Sequence, residues 1–140
     1  AKLRQAFPET VAGSKDSSGD AKYLNTLLAK FPGFAIFPSS ESLMVDALKK
    51  GAAGCISATA NTHVKAIRRL YDGWNSPEAA DMHKRASAIR ALIASYPLIA
   101  AVKATLAERY KHKGWHRLRP PLTPLDDKQT AALREKLAAI

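Results

Sequence analysis

The sequence is poor in the residues that build disulfide-linked, metal-binding and membrane-spanning proteins. Its single cysteine, Cys55, excludes an intrachain disulfide framework and indicates a reducing compartment. Cys55 stands between Gly and Ile in an apolar run, which predicts an inert core thiol. The apolar runs are all too short to cross a bilayer and no signal peptide is recognisable, so we expect a cytoplasmic chain without a membrane partner. The four histidines show no convergent ligand spacing, so no metal site is predicted.

Features typical of nucleic-acid-binding proteins are also sparse, despite a net charge of +10. Residues 1–61 carry seven Lys and Arg against five Asp and Glu, and residues 62–140 carry fifteen against seven. These cations are scattered at helical spacing, without an Arg-rich tract or a ladder of aromatic residues. A basic surface also attracts anionic metabolites or an acidic partner. We expect a solvated basic face and no nucleic-acid partner.

What the chain does contain is an alternation of short apolar runs and helical segments. Three runs predict buried strands, namely Val11–Ser14, Phe34–Phe37 and Gly54–Ala58. Helices are predicted over Asp20–Phe31, from Ser40 to Gly51 and from Asn61 to about Trp74. Further helices are predicted over Ala1–Phe7, from Ser76 to about Ser95, from Pro97 to about Tyr110 and after Asp126.

This alternation favours a parallel sheet with crossover helices. Three strands alone would leave both edges of the sheet open. The first loop lacks the glycine-rich phosphate fingerprint of an open doubly wound sheet, so a piece of a (β/α)₈ barrel explains the pattern better. Chemistry in such barrels lies in the loops after the carboxyl ends of the strands, here Lys15–Asp20, Pro38–Glu41 and Ser57–Asn61.

Lys15 lies at the end of the first apolar run, where strand gives way to loop. Apolar walls around a lysine disfavour the ammonium ion and leave a neutral amine that attacks carbonyl carbons. The alternative is a solvated turn lysine, as expected for most lysines beside Asp and Ser. The residues around Lys15 alone leave both interpretations open.

Four motifs taken together resemble the dihydrodipicolinate synthase / N-acetylneuraminate lyase family, the class I pyruvate-type aldolases. Residues 13–20, GSKDSSGD, resemble the sixth-strand motif whose lysine forms a Schiff base with a 2-keto acid. Residues 37–41, FPSSE, fall at the seventh-strand loop, and residues 51–61, GAAGCISATAN, resemble the eighth-strand segment. Residues 119–125, RPPLTPL, match the loop before the last helix. The resemblance covers essentially all of the chain.

The resemblance implies an α/β fold: the C-terminal part of a (β/α)₈ TIM barrel, with three parallel strands and their helices over residues 1–74. A C-terminal helical region over residues 75–140 follows, and the family often uses it to build a homotetramer. The first five strands and the tyrosine that relays protons are absent from this sequence, and Tyr23 is predicted to be a core residue instead. We therefore expect the missing N-terminal half of the barrel as a partner.

The resemblance also implies roles for individual residues. Lys15 is the expected catalytic residue, which attacks the keto group of pyruvate or another 2-keto acid, and the backbone carbonyl of Ile56 contacts that substrate. Ser40 and Glu41 bind the rest of the substrate or, equally well, cap a helix. Ser39 stands where the family most often has glycine, which leaves its backbone contact with the substrate open.

Two functions follow from the resemblance. The first is a Schiff-base-forming aldolase, lyase or dehydratase that needs no cofactor, with a keto-deoxy sugar acid among its possible substrates. The second is a non-catalytic half-barrel that acts only with a partner chain. Asp16 and Asp20 are predicted to brace the lysine loop in either case.

Overall fold

A computed structural model describes residues 2–140. The elements, in chain order, are α1 (Lys2–Ala6), β1 (Gly13–Asp16), α2 (Ala21–Lys30), β2 (Ala35–Pro38), α3 (Glu41–Lys49), α4 (Ala60–Asp72), α5 (Ala79–Ala94), α6 (Leu98–Tyr110), a 3₁₀ turn (Lys113–His116) and α7 (Asp127–Ala138). The chain divides into two compact units, of which the first ends at Ser57 and the second begins at Ala58. The predicted boundary after residue 74 rests on family architecture and stays a prediction.

The first unit is built on two parallel strands. β1 pairs with β2 in a register that sets Lys15 opposite Phe37 and Asp16 opposite Pro38. Ile36 and Pro38 are buried, whereas Ala35 and Phe37, which alternate with them, are only half-buried. The core of this unit is formed by the buried residues Leu24 and Leu28 of α2, Ile36 of β2 and Ala47 of α3. Helices therefore cover one face of the sheet, the face of Ile36 and Pro38.

The predicted third strand is wrong, since the described chain has a two-stranded sheet. The segment after Gly51 does follow β2, because Ala53 N–H donates to the Ile36 carbonyl and Ile56 N–H donates to the Pro38 carbonyl, both at 3.0 Å. These donors are three residues apart, whereas their acceptors are two apart. The extra residue acts like a bulge and prevents a regular ladder.

The first strand lies later and is more exposed than the sequence predicts. It runs over Gly13–Asp16 instead of Val11–Ser14, and its first three residues are exposed. The prediction assumed cover on both faces. Within residues 2–140, however, β1 has a strand neighbour on one edge only, and helices cover one face. Tyr23, predicted to be core, is also 51% exposed.

The second unit is a helical cluster whose core lies among α5, α6 and α7. Its buried side chains include Ile89, Ile93, Val102, Leu106, Leu125 and Leu133. α7 begins with a capping box, in which Asp126 accepts from Gln129 N–H and the Gln129 side chain accepts from Asp126 N–H. The predicted starts of α6 and α7 and the end of α5 are confirmed to within a residue.

Two predicted helix starts are wrong. Asn61 does not cap α4, which begins at Ala60 and is broken at His63 (φ −129°, ψ 34°). The Asn61 amide instead donates to the Ala58 carbonyl at 3.0 Å. Ser76 does not cap α5, because its hydroxyl bonds to the Glu78 carboxylate and the helix starts at Ala79.

No single helix between residues 2 and 140 combines the length and apolar content needed to cross a bilayer. α5 and α6 reach both only as a pair, and the pair is bent by 109° at the break between them.

Candidate active site

Lys15 lies inside β1, one residue from its carboxyl end, and its side chain is exposed. Its ammonium group donates to the Ser17 hydroxyl at 3.0 Å. Because strand side chains alternate and Lys15 is in register with Phe37, both residues lie on the sheet face opposite the helices. Within the first unit, the lysine therefore lies on the sheet face opposite α2 and α3, beside Phe37 of the neighbouring strand.

Consecutive hydrogen bonds between side chains and backbone N–H groups brace the loop after Lys15. The buried carboxylate of Asp16 accepts from Ser18 N–H at 3.0 Å, and the Ser18 hydroxyl accepts from Asp20 N–H at 3.1 Å. Asp20 in turn caps α2 by accepting from Lys22 N–H at 2.7 Å and Tyr23 N–H at 3.2 Å. The predicted bracing roles of Asp16 and Asp20 are confirmed, and their effect is to fix the backbone that follows the lysine.

The segment after β2 shows capping at Ser40. Its hydroxyl accepts from Ser42 N–H at 3.4 Å and contacts the Ser42 hydroxyl at 2.8 Å. Ser39, which immediately follows β2, is half-buried. Substrate contact by Ser39 and Ser40 stays a prediction.

Glu41 is the first residue of α3, and its side chain is fully buried. Its carboxylate Oε1 accepts a hydrogen bond from the Ser57 hydroxyl. A buried carboxylate needs such donors, because an unsolvated negative charge is costly. This geometry describes a brace between the start of α3 and the segment that contains Ile56, and substrate contact by Glu41 stays a prediction.

Ile56 is 48% exposed and is anchored on both sides. Its N–H donates to the Pro38 carbonyl, and its neighbour Ser57 bonds to Glu41. These two bonds hold the Ile56 carbonyl, the predicted substrate contact, in a defined place beside the end of β2.

The first unit thus brings the predicted site residues to one end of its sheet, the carboxyl end of the strands. Parallel pairing aligns the carboxyl ends of β1 and β2, where Lys15 and Ser39 lie, and the Pro38–Ile56 hydrogen bond aligns the third segment with them. Ser57 is the residue that the sequence analysis assigned no role, and its polar position directly after Ile56 is the one signal that pointed to it.

A groove of about 300 Å³ runs along β1 on the helix side of the sheet. Its lining includes Leu3 of α1, Ser14 of β1 and Tyr23 of α2. Arg4 lies over the Phe34 ring at 5.5 Å from its centroid on the wall of this groove. The groove is mostly apolar, and Lys15 is not among the residues that line it.

The residues suited to metals do not converge in the described chain. Within residues 2–140, no three His, Cys, Asp or Glu side chains are grouped closely enough to hold a metal ion. Cys55 is half-buried in the segment beside β2.

The chain is similar in sequence to a known protein family and to individual proteins. The family model described as "Dihydrodipicolinate synthetase family" matches residues 2–140. An uncharacterized DapA-like lyase of Halobacterium salinarum is 35% identical over 133 residues, which is 93% of this chain and 43% of the relative. Another from Chloroflexus aurantiacus is 35% identical over 129 residues, 87% of this chain and 41% of the relative.

Solved structures show the same fold. Dihydrodipicolinate synthase from Agrobacterium tumefaciens superposes with a TM-score of 0.84 at 26% identity, over 99% of this chain and 46% of the other. YagE, a prophage protein of Escherichia coli K12 in complex with pyruvate, superposes with a TM-score of 0.82 at 20% identity, over 99% and 48%. The chain therefore spans about half the length of the relatives it matches.

Proposed function

Because the chain belongs to the dihydrodipicolinate synthetase family, we propose that it is the lysine-bearing half of a Schiff-base lyase that acts on pyruvate or another 2-keto acid. The observation that carries the proposal is that Lys15, Ser39 and Ile56 lie together at the carboxyl ends of the parallel strands. The carboxyl ends of the strands are where (β/α)₈ enzymes place their chemistry. The relative YagE, whose structure contains pyruvate, supports the substrate class.

The chemistry assigned to Lys15 needs no cofactor. The neutral amine adds to the keto carbon, and loss of water gives an imine that is protonated on nitrogen. This cation accepts the electron pair of a breaking bond at the adjacent carbon, which is either a C–H or a C–C bond. The Ile56 carbonyl contacts the bound keto acid, and Ser39, Ser40 and Glu41 are proposed to face its remaining part.

The exposure of Lys15 supports the need for a second half. Among residues 2–140, Lys15 is exposed and lies on the sheet face opposite α2 and α3, whereas an amine nucleophile works best when water is excluded. β1 also has an edge without a strand neighbour among residues 2–140, beside the mostly apolar groove. We propose that a strand of the complementary half pairs with this edge, and that an apolar side chain of that half fills the groove.

The test is borohydride trapping with pyruvate on the native preparation, read by intact mass and peptide mapping. We expect a reduced pyruvyl adduct on the Lys15 peptide, beside a second polypeptide or segment that supplies the missing strands. Lys15→Arg should abolish the adduct, whereas Lys22→Arg, at an exposed position on α2, should retain it.

An alternative function is a non-catalytic half-barrel that acts only as a binding partner. It is supported by the fact that the chain spans only 43% of the Halobacterium salinarum relative. Co-expression with the N-terminal half of the Chloroflexus aurantiacus relative separates the two. An adduct that appears only after co-expression supports the lyase. No adduct in either preparation, while a competent family enzyme reacts in parallel, contradicts the lyase and supports the binding role. Homotetramer formation and a cytoplasmic location stay proposals.

A further inference from the structure

A strongly basic turn joins α6 to the loop before α7. The eleven residues from Arg109 to Arg119, RYKHKGWHRLR, contain five Lys or Arg, two His and two large aromatic residues, and no acidic residue. We call this segment the basic–aromatic turn. Nothing in the proposed lyase chemistry uses it.

The backbone of the turn places its two aromatic rings together. Lys111 ends α6 in the left-handed conformation (φ 50°), which reverses the chain. His112 Nδ1 then accepts from Gly114 N–H at 3.1 Å, and a Cβ on Gly114 would lie 2.5 Å from the His112 ring. This tight turn brings Trp115 back onto Tyr110, with ring centroids 6.4 Å apart and planes inclined by 27°. The rings form a stacked pair.

The pair stands in solvent rather than in a core. Tyr110 is 62% exposed and Trp115 is 37% exposed. Leaving this much aromatic surface in water forgoes the burial that normally stabilises such residues. A stacked pair with exposed rings offers a flat surface on which a third ring can stack.

Cations flank the two aromatic residues along the sequence. The five Lys and Arg residues of the turn are all exposed, namely Arg109, Lys111, Lys113, Arg117 and Arg119. Among these five cations in the described residues, Lys111 forms an ion pair, in which its Nζ lies 3.8 Å from Glu108 Oε2. The surface therefore combines flat π faces with a local excess of positive charge.

We propose that the basic–aromatic turn binds single-stranded nucleic acid, with bases stacked on Trp115 and Tyr110 and phosphates bound by the flanking cations. Base stacking on aromatic residues within a basic surface is how sequence-tolerant single-strand binding works. A second copy of the chain fits less well, because like charges would face each other and lysine is depleted at protein interfaces. The sequence, which lacks an Arg-rich tract and a ladder of aromatic residues, predicts no nucleic-acid partner; the proposal departs from that prediction because the fold stacks Trp115 on Tyr110.

The binding test uses fluorescence anisotropy of a labelled oligo(dT) of about twelve nucleotides, within the usual site sizes of single-strand binders. If all five cations contact phosphates, the slope of log K against log salt is about −3.5, or about a 100-fold loss of affinity between 50 and 200 mM salt. A Trp74→Phe variant leaves Trp115 as the one tryptophan. Stacking should then quench its fluorescence.

Matched variants separate stacking from charge. Trp115→Ala should weaken oligonucleotide binding about 5- to 150-fold. The double variant Lys113→Gln/Arg117→Gln should reduce the salt slope by about 1.4. The control Lys128→Gln/Lys136→Gln removes the same charge from exposed positions of α7 and should leave the slope unchanged.

Three results would overturn the proposal. The first is equal affinity for heparin, a polyanion without bases, which would show charge attraction alone. The second is an equal effect of the turn variants and the α7 control. The third is Trp115-dependent binding to anionic lipid vesicles without binding to the oligonucleotide, which would assign the surface to membranes. The proposal is supported if the chain binds oligo(dT) more tightly than heparin and Trp115→Ala removes this difference. Should Trp115→Ala not fold, the change in salt slope of Lys113→Gln/Arg117→Gln tests the proposal instead.

Discussion

The Ser57 hydroxyl donates a hydrogen bond to the buried carboxylate of Glu41, although 16 positions separate the two residues in sequence. Ser57 ends the extended segment beside β2, whereas Glu41 begins α3 directly after β2. The bond therefore fixes the residue after Ile56, the proposed substrate contact, to the start of α3.

Removing this donor should destabilise the chain. We expect Ser57→Ala to lower the free energy of unfolding by about 1–3 kcal/mol, because it deprives a buried carboxylate of a hydrogen bond. Urea denaturation measures the change. Thr10→Ala, at an exposed position of the same unit, is the control and should stay within about 0.5 kcal/mol of the wild type. Equal effects of the two variants would contradict the brace.

Gly13 should tolerate no side chain, because β1 approaches β2 closely there. A Cβ on Gly13 would lie 2.3 Å from the Ala35 carbonyl oxygen and 2.9 Å from the Ala35 Cβ. We expect Gly13→Ala to cost about 3 kcal/mol or to disrupt the pairing of β1 with β2. The control is Gly33→Ala, where a Cβ meets nothing within 4 Å and the φ of +72° alone costs about 1–2 kcal/mol. The prediction fails if Gly33→Ala is the more destabilising change.

The helical unit should depend on Ile93, which is fully buried in its core. We expect Ile93→Ala to lower the free energy of unfolding by about 2–5 kcal/mol through lost burial and a residual cavity. Ile99→Ala removes the same atoms from a side chain that is 51% exposed, and should cost about 0.5 kcal/mol. Thermal unfolding followed by circular dichroism compares the two, and similar midpoints would argue against this core.

Ser76 should control the titration of Glu78. The hydrogen bond from the Ser76 side chain holds the pKa of the Glu78 carboxyl below its ordinary value. This bond stabilises the folded state above the ordinary pKa, and the contribution is lost as the pH falls through the lowered pKa. Ser76→Ala should raise the Glu78 pKa towards its ordinary value in an NMR titration. Ser95→Ala, which removes another exposed hydroxyl, should leave it in place.

Local patterns predicted most of the helices and the place of Lys15. α2 and α7 begin after aspartates whose side chains cap them, as their sequences indicate. The end of the first apolar run also located Lys15 near the carboxyl end of a strand. Such signals lie within a few residues of the structure they specify.

The remaining features depend on distant residues. The irregular path of the segment after Gly51 follows from how it meets β2, and the exposure of β1 follows from which neighbours it has. The Glu41–Ser57 bond joins the start of α3 to a segment 16 positions away, so the residues around either partner do not reveal the pairing. The Tyr110–Trp115 stack is local, but it follows a left-handed residue at Lys111, a conformation that lysine seldom adopts and that its sequence does not predict.

The open edge of β1 also makes this chain sensitive to its own concentration. Within residues 2–140, β1 has a strand neighbour on one side only, and the backbone groups of a strand edge do not distinguish one incoming strand from an equivalent strand on another copy. The proposed pairing with a complementary strand therefore competes with self-pairing, whose rate rises with the square of the chain's concentration. Protein concentration, more than the stability of the first unit, would then set how much of the chain self-associates through this edge.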